Sequence, residues 1–193
     1  MPFLQPPSAA AWQHRDARTG FEVVHFRRVN AGYRIEGCTT AVERGQTWIV
    51  DYEILLSGSW TTRVAHVNRR SALGPSSTTL HADGAGHWQV DGQDAPHLDG
   101  CLDVDLESSA VTNALPVHRL DLGVGQHADA PAAFVRALGQ ATERLEQTYV
   151  RATDDGNRQR YDYAAPAFAF TARLVYDTAG LVVHYPGIAE RAA

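Results

Sequence analysis

The chain has no lysine, and its 17 basic residues are all arginine. That bias points to a GC-rich coding background rather than to a mechanism. With 22 acidic residues, a formal charge of −5 and a pI near 5.9, nothing draws the protein toward phosphate backbones or anionic bilayers. Nucleic acid is therefore not an expected partner. Long apolar runs are also missing, so no segment suffices to span a bilayer, and residues 1–8 lack a basic stretch followed by an apolar one. The expected location is cytoplasmic, without stable membrane insertion. Cysteine is scarce: Cys38 and Cys101 each follow a glycine, and a reducing compartment makes them buried free thiols rather than a disulfide. The nine histidines form no HExxH, no His-x-His and no set with paired cysteines, so no metal site is expected. Gly123 and Gly125 lack the fuller spacing of a phosphate or dinucleotide loop, so no cofactor is expected either.

What is present is mostly strand. Across residues 47–56, Trp48, Val50, Tyr52, Ile54 and Leu56 make an unbroken apolar face, with Asp51 and Glu53 on the other side. Residues 57–59 read as a turn and 60–67 as the returning strand. Further turns are expected at 83–86 and 91–92. Residues 101–106 alternate Leu102, Val104 and Leu106 with Asp103 and Asp105. A closing hairpin is expected over 167–176 and 181–185, central in its sheet. One segment departs from a period of two: Phe134, Leu138, Ala141, Leu145 and Tyr149 recur at spacings of four, three, four and four. That pattern predicts an α-helix over 129–149, with Asp129 as cap and Pro131 in the first turn. The fold class expected for the single domain, residues 1–193, is α+β: a strongly curved antiparallel sheet, or half-barrel, wrapped on one long helix.

The stretch from Gly100 to Leu120 joins an Asp-x-Asp strand (Asp103, Asp105), a Thr-Asn turn (Thr112, Asn113) and a Leu-Pro-x-x-Arg-Leu segment (Leu115, Pro116, Arg119, Leu120). It resembles the bacterial putative glycolipid-binding family. Other pieces along the chain agree: Trp60 to Arg63, Asp83-Gly84 with Gly86 and Trp88, Gln147 with Tyr149, Tyr161 with Tyr163, and Asp177, Gly180 and Leu181 through Tyr185 and Pro186. Ala110 and Val111 stand where the family has Pro-Phe, and His118 where it has a second arginine. The resemblance implies a half-barrel similar to the lipid carriers of bacterial lipoprotein transport. The partner it implies is a small-molecule amphiphile or glycolipid, and a homodimer is compatible with the sequence.

The strand rise places Asp103 and Asp105 on one face, about 7 Å apart at Cα. Two like charges that close invite a cation. Arg119, expected on a strand pairing with theirs, offers a bidentate fork, and Arg63 is a second candidate. One reading makes Asp103, Asp105, Asn113 and Arg119 a headgroup site, with Trp60 stacking on the ligand. The other makes them a structural network or a solvated hairpin face, with Asn113 a turn residue. Binding is the favoured function, and no residue is assigned a catalytic role. The alternatives are a hydrolase using the two carboxylates and a protein-interaction module with a purely structural polar cluster.

Overall fold

In the computed structural model, which describes residues 3–30, 32–139 and 141–193, strands take 58% and helices 8% of the described residues. The architecture is therefore mostly antiparallel β. The first half is a succession of hairpins: β1 (Ala9–His14), β2 (Thr19–Val29), β3 (Gly32–Glu43), β4 (Gln46–Leu56), β5 (Thr62–Ser71), β6 (Gly74–Ala82), β7 (Trp88–Val90) and β8 (Gln93–Asp94). There follow β9 (Asp103–Leu106), a 3-10 turn (Val111–Asn113) and α1 (Ala114–Leu120). The remainder comprises β10 (His127–Asp129), β11 (Ala132–Val135), β12 (Thr142–Leu145), β13 (Thr148–Asp155), β14 (Arg158–Ala165), β15 (Phe170–Tyr176), β16 (Val182–Tyr185) and β17 (Ala189–Arg191).

β17 pairs antiparallel with β1, which merges both halves into one 14-stranded sheet of order β10-β13-β14-β15-β16-β17-β1-β2-β3-β4-β5-β6-β7-β8. The sheet is not closed into a barrel. Its terminal strands, β10 and β8, have only three and two residues, and β7 covers only Leu80 to Ala82 of β6, so among the described residues the outer edge of β6 from Gly74 to Thr78 has no strand beside it. A second sheet of order β12-β11-β9, with β9 and β11 parallel, and the short helix fill the interior. One wing of the large sheet packs Ile35, Val50, Ile54 and Leu80 with Leu106, Val111, Leu115 and Val135. The other packs Tyr149, Tyr161, Leu174 and Tyr176 with Val117 and Phe134. Full burial of such side chains contributes about 1.5–3 kcal/mol each.

The strand patterns of β4, β9 and β15 match the sequence reading: all five even residues of β4 from Trp48 to Leu56 are buried, and β15 lies between β14 and β16. The tight turn at 91–92 carries Asp91 and Gly92 at φ 50° and 78°, the left-handed pair that a two-residue hairpin requires.

The fold-class expectation fails at the helix. The described residues of 129–149 form no helix; the stripe from Phe134 to Tyr149 crosses β11, β12 and the start of β13. A spacing of four is even, so it keeps side chains on one face of a strand as well as of a helix. Ala132 to Val135 are all buried because β11 is covered on both faces, Ala133 and Val135 packing into one wing of the core and Phe134 into the other, and Gly139 turns the chain at φ 96°. The filling of the sheet is thus three strands and a helix of seven residues, which overturns the half-barrel wrapped on one long helix.

That helix stands where the Leu-Pro-x-x-Arg-Leu strand was expected. Pro116 sits in its first turn, where no amide donor is needed, and Ala114 to Val117 are all buried. Asp121 ends the helix in the left-handed region at φ 43°, donating its N–H to the Val117 carbonyl at 3.2 Å. Because Cβ makes that conformation costly, Asp121→Gly is expected to stabilise the protein by about 1 kcal/mol in urea unfolding.

Candidate functional site

Asp103 and Asp105 occupy alternate positions of β9, opposite Ala132 and Phe134. The 3-10 turn and α1 fold back over the face they share. Arg119, near the end of α1, donates from Nε to Asp103 Oδ1 at 3.1 Å and from Nη2 to Oδ2 at 2.6 Å. Their side chains are 14% and 2% exposed, so this fork is a sequestered ion pair. Burial pushes the Asp103 carboxyl up, and Arg119 pulls against that shift.

Asp105 is half-buried, and its two oxygens accept from Thr112 Oγ1 at 2.8 Å and Gln147 Nε2 at 2.7 Å. Both bonds favour the carboxylate, yet burial outweighs them and its carboxyl is pushed up to about 6. The network continues: the Tyr149 hydroxyl lies 3.0 Å from Asn113 Oδ1 and 3.2 Å from Gln147 Oε1. The Tyr176 hydroxyl donates to the Asn113 carbonyl at 3.1 Å.

Beside Asp105 and Asn113 opens a cleft of about 200 Å³ between the two sheets. Phe134 of β11 and Leu145 of β12 form one wall; Tyr163, Ala165, Phe170 and Tyr185 of the large sheet form the other. Phe168, 44% exposed, stands at its rim against Phe134, ring centroids 5.4 Å apart. Arg18, from the connection between β1 and β2, also lines the cleft and is 9% exposed. Its guanidinium carbon lies 5.3 Å over the Trp48 ring, and its Nε is 3.8 Å from Glu43 Oε2, too far for a hydrogen bond. Among the described residues Arg18 Nε and Nη1 have no hydrogen-bond partner.

The sequence candidates therefore separate. Asp105 and Asn113 line the cleft; Asp103 and Arg119 pair outside its lining. Arg119 reaches Asp103 from a helix rather than from a paired strand. Arg63 is exposed on β5 and donates to the Asp83 carbonyl. Trp60 is 6% exposed, in a left-handed turn at φ 65°, its indole stacked on the His118 imidazole with centroids 3.6 Å apart and planes 3° from parallel. His118 takes the place a ligand would have had on that ring. Burial lowers the His118 pKa to about 4, so the imidazole is neutral and donates from Nε2 to the Ala179 carbonyl at 3.0 Å. Sequence reasoning missed Arg18, Tyr163, Phe170 and Tyr185. Tyr161 with Tyr163 entered only as a piece of the family resemblance, and nothing in the sequence indicated a shared cavity.

Among the described residues no group of three or more His, Cys, Asp or Glu is placed to hold a metal ion, and no helix is long and apolar enough to cross a membrane.

With this geometry, the family described as "Putative glycolipid-binding" matches residues 9–191, and the chain belongs to that family. It is similar to the crystal structure of a DUF1089 family protein from Pseudomonas aeruginosa, with 32% identity, 99% of this chain and 96% of that one covered, and a TM-score of 0.78. A beta-barrel-like protein of domain of unknown function DUF1849 from Brucella abortus, 11% identical over 98% of this chain and 95% of that one, has a TM-score of 0.55 and shares the fold alone. No curated protein matches the chain.

Proposed function

We propose that the protein binds an amphiphile in the cleft between its two sheets, with the apolar part against the aromatic walls and the polar part among the polar lining of Arg18, Asp105 and Asn113. The observation that carries this is the lining itself: Phe134, Phe168, Phe170, Tyr163 and Tyr185 surround a few convergent polar groups, the composition of a small-molecule site. A volume of about 200 Å³ is below the range of complete drug-sized ligands, so the cleft grips one sugar ring or a short length of chain. Aromatic faces suit either. The glycolipid description of the family points the same way. Asp103 serves this site by position, since its ion pair with Arg119 ties α1 to β9 beside Asp105.

Octyl glucoside, titrated calorimetrically below its micellar concentration, tests the reading. Phe168→Ala removes an exposed rim ring without opening the core, and is expected to weaken binding about 3–10-fold. No heat of binding to the unaltered protein, or equal affinity in the variant, would refute the cleft as the site.

A further inference from the structure

Most polar groups at the cleft are engaged by the protein itself. Asp105 accepts from Thr112 and Gln147, and Asn113 Oδ1 accepts from Tyr149. Ser109 Oγ accepts from the Val111 amide, and Glu107 Oε2 from the Ala137 amide. Arg18 is different. It is a cation more than nine-tenths buried, with two N–H groups unmatched and, among the described residues, no carboxylate within hydrogen-bonding distance. An unmatched buried donor is costly, and more so on a charged group. Stacking on Trp48 and attraction to Glu43 leave the guanidinium able to turn toward a ligand without breaking a hydrogen bond. The other nearby carboxylate, Glu22, is held by the Tyr52 hydroxyl at 2.5 Å and the Ala110 amide at 2.8 Å.

Arg18 thus brings a guanidinium with two unmatched N–H groups to a cleft with aromatic walls. We infer that its ligand carries an oxyanion, a carboxylate or a phosphate, on an apolar body, and that Arg18 is the counter-charge. This rests on the cleft reading above and adds the chemistry of the head. The guanidinium geometry matches both oxyanions bidentately, whereas a neutral glycoside offers no such paired acceptor.

Decanoate, decyl phosphate and octyl glucoside, each titrated below its micellar concentration at pH 7, form the test. In the unaltered protein at least one of the two acids is expected to bind about tenfold more tightly than the glucoside, and the tighter of them tells fatty acid from phosphorylated lipid. Arg18→Met should lose that advantage, and Arg18→Lys should keep part of it. Raising ionic strength should weaken the acids and spare the glucoside in the unaltered protein, a readout independent of whether the variants fold. Equal affinity for acids and glucoside, all three weakened by Phe168→Ala, would overturn the inference and leave the cleft reading standing. Binding of none of the three would remove both.

Discussion

Arg119→Ala should cost about 3–5 kcal/mol in urea unfolding at pH 7, because it leaves the Asp103 carboxylate, 2% exposed, in the interior without its cation. The loss should shrink as the pH is lowered. Without the arginine, burial raises the Asp103 carboxyl further above its ordinary range, so the folded variant takes up a proton that the unfolded chain does not hold at the same pH. Removing both charges as Asp103→Leu with Arg119→Met is expected to recover most of the stability, since an apolar pair of similar volume needs no desolvation. A single-variant loss under about 1 kcal/mol would mean that water reaches the pair. The same variant divides scaffold from site: lower stability with unchanged octyl glucoside affinity marks the pair as architecture, and an intact fold that loses the ligand marks it as contact.

A gain of stability is expected from Asp105→Asn. The Asp105 carboxyl is raised to about 6 in the folded protein, against about 3.9 in an unfolded chain. Between those values the folded state holds the proton more tightly, so stability falls as pH rises through the window and stays reduced above it. An amide accepts from Thr112 and, with the Gln147 carboxamide turned over, bonds there too, without carrying a charge. The variant should match the original near pH 4 and exceed it by about 1–3 kcal/mol at pH 7. His14 and His118, both lowered to about 4 by burial, make both proteins less stable as pH falls below about 6.5, and they cancel in the difference. Equal stability of the two at pH 7 would show the carboxylate to be well solvated. A residue that lowers stability while lining a cleft is where function is sought.

The strands were legible where one face meets the core and the other meets water, as in β4, whose alternation runs without a break. Legibility failed where a segment is buried on both faces. β11 is Ala-Ala-Phe-Val with every residue covered, and a run apolar on all sides carries no period, so the helical spacing of its flanking residues filled the gap. The helix α1 failed for the opposite reason. Its seven residues include a proline and a buried first turn, too short to repeat a stripe. The association of Arg119 with Asp103 came from charge logic and survived the wrong secondary structure, because a long guanidinium side chain reaches a carboxylate from a helix as readily as from a strand. Arg18 had no such signal, since its role depends on being unmatched, which only the folded surroundings reveal.

The pairing of β1 with β17 has a consequence for when the cleft exists. Apart from β10, which reaches β13 past β11 and β12, each wing is a chain of neighbouring hairpins that can zip from local contacts, whereas Trp12 must find Arg191 across almost the whole sequence, an encounter that carries the largest loop-closure cost and so is made late. Arg18 enters the cleft from one side of that junction, and Tyr163, Phe170 and Tyr185 enter from the other. A ligand bound as proposed would clasp the last ladder to form, and saturating the cleft with it should slow amide exchange at β1 and β17 more than at the outer strands.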